Sequence, residues 1–359
     1  MLDGVRLLLR ATNWVGDVVI SLPALRALRA HHRKDRIVVL ARPWVAELYR
    51  LLPEVDEVLV EEPKGRHAGA AGRSTLATEL REREFDRAIL LPRSFETAWT
   101  AYRAGIPERW GYRGELRSPF LTHPIAHSRR PGEHEVFRHL RLVAATGVPM
   151  PEVPDGTWPA SDALRRSARA RLAQAGIPSG PFVAAHVASF AHAAKRWPQE
   201  RFAALFDRLA KEHGLPVALL GSAAEAPVNA RVASLSSTAR VVDLAGKTSL
   251  PEVLGIVASA ELFVGNDSGL AHLANAAGTP TAVVFGSTDP DATRPWDGPR
   301  PDGRPVRLRV VRRRALCAPC RFTRCPLDHA CMTGVTVEDL LDSQGLAEGV
   351  RPTLGTRGK

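Results

Sequence analysis

The 359-residue chain has only 4 cysteines, all of them between Cys317 and Cys331. A secreted domain held by disulfides would spread its cysteines along its length, so that class is excluded and a reducing cytoplasm is expected. Aromatic residues amount to 6%, too few to supply the stacking platforms of a nucleic-acid binder. No nucleic-acid motif accompanies the run Arg312-Arg313-Arg314, so no nucleic-acid partner is expected. No apolar run approaches the roughly 18–20 residues of a spanning helix. The stretch Leu270–Phe285 is broken by His272, Asn275, Gly278 and Pro280, and Val5–Leu9 is closed by Arg10 before a signal-peptide core forms.

Familiar nucleotide and acyl-transfer motifs are missing too. Asn13-Trp14-Val15-Gly16-Asp17 stands where a nicotinamide-binding Gly-x-Gly-x-x-Gly would follow the first strand. Ala245-Gly246-Lys247-Thr248 lacks the leading glycine of a P-loop, Val241 taking its place, and Ser249-Leu250-Pro251-Glu252 reads instead as a capping box. Gly265-Asn266-Asp267-Ser268-Gly269 has the wrong offset for a nucleophile elbow. Asp289-Pro290-Asp291 has the form of a metal-holding Asp-x-Asp, but its place in a proline turn after a strand reads as a turn.

What is present is ordinary globular composition, 45% hydrophobic and 24% charged, with 49 Lys+Arg against 38 Asp+Glu giving +11. That charge suits either an anionic partner or plain solubility. Short β-rich runs alternate with amphipathic helical patterns: strands at Val5–Arg10, Arg36–Ala41, Glu57–Val60 and Asp86–Leu91, helices at Val18–Arg33, Trp44–Leu51, Ser74–Arg83 and Thr97–Ala104. The rhythm lapses over the proline-dense Pro149–Pro159. It resumes with strands at Phe182–Val187, Val217–Gly221, Val241–Leu244, Leu262–Gly265 and Thr281–Phe285 and helices between them. Such alternation predicts an α/β chain of two Rossmann-like, doubly wound domains, 1–155 and 156–359, facing across a cleft. In such sheets ligands sit beyond the carboxyl ends of the strands, so the loops there are where chemistry is expected.

Those loops carry distinct groups. Asp17, beside the small Gly16, is placed either to take a proton from an attacking hydroxyl or to serve as a helix-start acid. Ser268, Gly269 and Leu270 open a helix whose free amides suit a diphosphate, with Asp267 and His272 either joining them or acting as cap and packing residue. Lys195-Arg196 before Pro198 would meet the charge of a departing phosphate, or form a solvated turn. Gly221 ends a strand, and Glu225 after it suits a ribose diol or an exposed first helical turn.

Three blocks, Asn13-Trp14-Val15-Gly16-Asp17, Ala194-Lys195-Arg196-Trp197-Pro198 and Asn266–His272 continuing to Pro280, together resemble the bacterial lipopolysaccharide heptosyltransferases of glycosyltransferase family 9. These are inverting enzymes of the GT-B architecture, and the likeness runs from Arg6 to Arg294. Further segments, Pro53–Val58, Leu91–Phe95, Gly105–Pro107 and Gly111–Glu115, are similar to the branch that adds heptose to the first heptose of the inner core. The resemblance implies Asp17 as base, Lys195 and Arg196 on the donor phosphates, Gly221 and Glu225 near the ribose, and Asp267, Ser268, Gly269, Leu270 and His272 on the diphosphate. It places the acceptor by Gly16, Arg93 and Ser94. The implied partners are ADP-heptose and a phosphorylated, Kdo-bearing lipid A core at the cytoplasmic face of the inner membrane, with no cofactor for catalysis. A sister transferase with another sugar acceptor and a GT-B-shaped sugar-nucleotide epimerase are the alternatives. The donor loop aligns with Val187–His192, and Arg26, Arg29, Arg33 and Lys34 either meet the membrane or solubilise a helix.

Cys317, Cys320, Cys325 and Cys331, with His329 beside the last, have ligand spacing for a structural zinc or an iron–sulfur cluster. Buried free thiols or a transient disulfide are the other readings.

Overall fold

The computed structural model describes residues 4–114, 116–126, 132–189 and 192–341. Glu115, Phe190 and Ala191, which belong to segments singled out above, lie outside the described residues. The chain divides into two units, Met1–Gly156 and Thr157–Lys359.

The first unit runs β1 (Arg6–Arg10), α1 (Val15–His31), β2 (Arg36–Ala41), α2 (Pro43–Arg50), β3 (Glu57–Val60), α3 (Gly69–Arg81), β4 (Arg87–Leu90), α4 (Phe95–Arg103), β5 (Glu108–Tyr112), β6 (His123–Ile125) and α5 (Glu135–Ala144). Leu7–Leu9 and Ile37–Leu40 are buried, the continuous apolar reading of strands covered on both faces. The sheet is parallel, in the order β3-β2-β1-β4-β5-β6. β1 lies between β2, with Arg6 opposite Arg36, and β4, with Leu7 opposite Arg87.

α1 begins earlier than the expected Val18. Trp14 is extended (φ −120°, ψ 145°) as its N-cap, and Val18 N–H donates to Trp14 O at 2.9 Å. Gly16 and Asp17 therefore lie in the first turn of the helix, where the amide dipoles favour a carboxylate. Beyond the expected elements the unit adds β5, β6 and α5, the last packing against α1. Arg26 pairs with Glu54 (3.1 Å) and Asp155 (2.5 Å), and Arg29 with Asp56, so two of the four cations expected on that helix face are neutralised within the unit. Arg33 and Lys34 stay exposed.

A buried ionic knot closes the carboxyl ends of β1 to β3. Glu61, 5% exposed, holds Arg10 at 2.7 Å and Arg42 at 3.0 Å. The Arg10 guanidinium also donates to Ala11 O (2.8 Å) and Leu40 O (3.1 Å), fixing the backbone that leads into Asn13. Burial lowers the Arg10 pKa, and the Glu61 carboxylate opposes that shift.

The second unit runs α6 (Asp162–Gln174), β7 (Val183–His186), α7 (Gln199–His213), β8 (Val217–Leu219), α8 (Ala226–Leu235), β9 (Val241–Asp243), α9 (Leu250–Ser259), β10 (Leu262–Asn266), α10 (Gly269–Ala276), β11 (Thr281–Phe285), α11 (Pro290–Thr293), β12 (Leu308–Arg312), α12 (Ala330–Thr333) and α13 (Val337–Leu341). Its parallel sheet has the order β12-β11-β10-β7-β8-β9, the same topology as the first. The expected capping box opens α9: Ser249 N–H donates to the Glu252 carboxylate at 2.8 Å, and Glu252 N–H to Ser249 Oγ at 3.3 Å. α6 packs on α9 at Gly255, where a Cβ would lie 2.4 Å from Leu164 O, so only glycine permits that approach.

Removing Glu61 leaves the buried Arg10 and the half-buried Arg42 without their carboxylate. Glu61→Ala is expected to cost about 3–5 kcal/mol, read as a lowered urea midpoint. A second consequence concerns acid. His139, fully buried on α5, has its pKa driven well below the ordinary value by burial and by Arg138. Below about pH 6.5 the unfolded chain binds a proton there that the folded chain refuses, so stability falls as pH drops, by up to about 1.4 kcal/mol per pH unit. Urea titrations between pH 7 and 5 should show that slope reduced in His139→Gln.

Candidate active site

Each sheet has one pair of neighbouring strands from which the chain departs in opposite directions: β1 with β4, and β7 with β10. The loops following such a pair leave a crevice between them, which is where doubly wound sheets hold ligands.

In the first unit that edge carries Gly16, which is buried, and Asp17, which is half-buried at the start of α1. Tyr49 is buried on α2, and its hydroxyl pKa is raised by burial and, to a lesser degree, by the Asp17 charge. Trp44 Nε1 donates to Asn13 O at 2.6 Å and braces the loop between β1 and α1. After β4, Arg93 is exposed and Ser94 is the half-buried N-cap residue of α4. Arg10 and Leu90 are register partners, so the loops bearing Asp17 and Arg93 leave neighbouring strand ends.

In the second unit the corresponding edge is bound together by side chains. Lys195 Nζ lies 2.7 Å from Asp267 Oδ2, and Thr288 Oγ1 donates to the same oxygen at 2.6 Å. Asn266, fully buried at the end of β10, donates through Nδ2 to Val187 O (2.9 Å) and Ala188 O (3.3 Å) and accepts Trp197 N–H at 2.9 Å. It thereby fastens the loop after β7 to the loop after β10. Gly269 and Leu270 open α10, so their amides fall in the turn for which the helix supplies no acceptor. Ser268 Oγ is buried without a hydrogen-bond partner among the described residues. His272 is buried one turn on, and His192 lies by the pair, its pKa lowered by burial and by Lys195 and raised by Asp267. The result is one cation beside a set of undirected N–H and O–H donors, an arrangement that receives a phosphate group.

The remaining expected residues are placed differently. Arg196 donates to Ser189 O at 3.0 Å, which closes its own loop. Glu225 is buried: its Oε2 accepts Ser222 N–H (2.8 Å) and Ser222 Oγ–H (2.9 Å), and its Oε1 lies 3.3 Å from His186 Nε2. Burial alone would raise its pKa, but the bonds from His186 and Ser222 hold it down at about 2. Its carboxylate is therefore engaged in closing the turn after β8. Gly221 (φ +152°) makes that turn possible, since a Cβ there would sit 3.1 Å from Glu225 Oε2. Asp289 accepts Asp291 N–H at 3.1 Å and caps α11, the turn that its sequence suggests.

The four thiols of the cysteine segment differ in exposure. Cys317 is exposed, Cys320 and Cys325 are half-buried, and Cys331 is drawn into the core of the second unit with Met332. Burial, followed by the other three thiols, pushes the Cys331 pKa up. Among the described residues no group of three or more His, Cys, Asp or Glu side chains is disposed to hold a metal ion. The segment also braces a loop: Ala194 N–H donates to Thr323 O (3.1 Å), and His329 Nε2 lies 2.8 Å from Ala194 O. Trp197 Nε1 and Arg201 both donate to Val335 O. Residues far along the chain thus hold the loop of Lys195 from outside, a role that cysteine spacing does not announce.

The family model for glycosyltransferase family 9 (heptosyltransferase) matches residues 73–329. The chain belongs to glycosyltransferase family 9. Within the family it is 31% identical to lipopolysaccharide heptosyltransferase 2 of Escherichia coli (strain K12) over 302 residues, covering 81% of this chain and 85% of that one. Lipopolysaccharide heptosyltransferase 2 of Salmonella typhimurium is 32% identical with the same coverage. The solved structure of E. coli ADP-heptose lipopolysaccharide heptosyltransferase II superposes with a TM-score of 0.79 at 27% identity, covering 96% of this chain and 98% of that one. The α/β fold of two parallel six-stranded sheets is the GT-B fold of that family.

In this member of the family the His329 brace is separable from the ionic pair. His329→Ala is expected to speed amide hydrogen exchange at Lys195, Arg196 and Trp197 while leaving β1 to β6 unchanged, as read by mass spectrometry.

Proposed function

We propose that the chain is an inverting heptosyltransferase that moves heptose from ADP-heptose to the first heptose of the lipopolysaccharide inner core. The observation that carries this reading is the Lys195–Asp267 pair, 2.7 Å apart, beside the free helix start at Gly269. The named relatives give the sugar and the acceptor class.

The donor diphosphate takes the amides of Ser268, Gly269 and Leu270 and the Ser268 hydroxyl, while Lys195 exchanges part of its attachment to Asp267 for phosphate oxygen. The acceptor hydroxyl attacks the anomeric carbon from the face opposite the diphosphate, and Asp17 takes its proton. One C–O bond forms as the other breaks, so configuration inverts, and the charge gathering on the leaving ADP falls on donors already in place. Arg93, Ser94 and the small Gly16 serve the acceptor. Glu225 contributes to the ribose site by shaping the turn at Gly221 as well as by any direct contact.

The acceptor in this reading is a phosphorylated, Kdo-bearing glycolipid, so the enzyme works in the cytoplasm against the inner membrane. Among the described residues no helix is long and apolar enough to cross a membrane, and contact with the bilayer is peripheral.

With purified ADP-heptose and a truncated core ending in its first heptose, the product should gain one heptose by mass spectrometry. Lys195→Ala is expected to lower kcat by about 10²–10³-fold, and Asp17→Asn by about 10²–10⁴-fold, both with unchanged urea midpoints. Near-normal transfer by either variant would remove that residue from its role. Failure of the unmodified chain on this acceptor, with transfer to another sugar, would move it to a sister reaction.

A further inference from the structure

A second cationic cavity lies in the second unit, at the carboxyl ends of β11 and β12. It encloses about 410 Å³ and is lined by Thr288, Asp289, Arg312, Arg313, Arg314 and Leu316, among others. This volume suits a substituted monosaccharide more than a water cluster. The three arginines are not equivalent. Arg313 is committed to Asp339, with Nη2 at 2.6 Å and Nε at 3.2 Å from its two oxygens. Arg312 and Arg314 are exposed and, among the described residues, neither is paired with a carboxylate. Among the described residues that line the cavity, Asp289 is the one carboxylate, and it accepts a backbone N–H as the cap of α11.

The cavity adjoins the phosphate-binding loop, because Thr288 lines it while its hydroxyl donates to Asp267 at 2.6 Å. Resting on the heptosyltransferase reading, the charges of the donor are confined to its diphosphate, which the Lys195 loop receives. Heptose itself brings none. Arg312 and Arg314 against the one carboxyl group of Asp289 leave the cavity with an excess of positive charge beside that loop, which favours an anion that the donor does not supply. We infer that Arg312 and Arg314 form an oxyanion subsite for a phosphate or carboxylate group carried by the acceptor glycan. Guanidinium groups match both anions through paired N–H donors, and the exposed Leu316 gives the sugar an apolar rim.

The test uses the full chain and the double variant Arg312→Gln, Arg314→Gln, which keeps side-chain length and removes charge. Calorimetric titration with a truncated phosphorylated core oligosaccharide should show affinity lowered about tenfold or more, with Arg312→Lys, Arg314→Lys recovering most of it. In turnover the acceptor KM should rise by the same factor while the ADP-heptose KM and kcat hold. Repeating the titration with oligosaccharide stripped of phosphate, and separately with carboxyl-reduced Kdo, identifies the source: the difference between unmodified and variant chains disappears with whichever group the subsite binds. Unchanged affinity, an equal rise in the donor KM, or a difference that survives both stripped ligands would overturn the subsite. Absence of heptose transfer by the unmodified chain would instead overturn the functional reading, and the titration still decides the cavity.

Discussion

A parallel sheet wound first to one side of its starting strand and then to the other has a neighbouring pair, at its middle, whose following helices cover opposite faces. No helix can fill the notch between them, and this constraint governs the chain twice. In the first unit, beside the notch at β1 and β4, the Arg10, Glu61 and Arg42 knot at the carboxyl ends of β1 to β3 holds the backbone that leads from β1 toward Asp17. In the second, Asn266 spans the notch at β7 and β10, and the ion pair of Lys195 with Asp267 lies over it. The two notches are built by opposite means. One is held by a buried charge cluster, the other is spanned by a neutral amide.

The alternation of apolar runs with helical periodicity made the two doubly wound units legible in the sequence, because strands such as Leu7–Leu9 and Val183–His186 are buried on both faces and carry no polar interruption. Three strands toward the far ends of the sheets broke that rule. β5 reads Glu-Arg-Trp-Gly-Tyr, β6 contains Pro124, and β12 alternates charge with Val310 and Val311, so none has the signature of a central strand. The start of α1 was displaced because Val15 and Gly16 are poor helix formers, and the turn is set instead by the extended Trp14.

At the site, residue types were readable and allegiances were not. Lys195 and Asp267 stand 72 positions apart, and nothing local says that they touch. Glu225 sat at a strand end where a ribose ligand is common, yet Ser222 three residues before it already spelled a capping box, the cheaper local solution. Asn266 lay inside a recognised block without a role, since a side-chain amide shows its purpose only when the carbonyls of Val187 and Ala188 are beside it. The net +11 was equally opaque. Many of the cations are paired within the fold, Arg26 with Glu54 and Asp155, Arg29 with Asp56 and Arg313 with Asp339, which leaves the excess on other side chains. What matters for recognition is the remainder, which composition cannot locate.

The bracing of Ala194 by Thr323 and His329, and of Trp197 by Val335, also has a temporal meaning. On the ribosome the first unit, with Asp17, emerges as a compact unit before the second is made. Lys195 is made soon after, but its loop waits for residues more than 125 positions later to be synthesised before both backbone groups of Ala194 find partners. The nascent chain thus acquires its proton acceptor early and its phosphate grip last, so a chain released short of Val335 would be a folded but toothless half-enzyme.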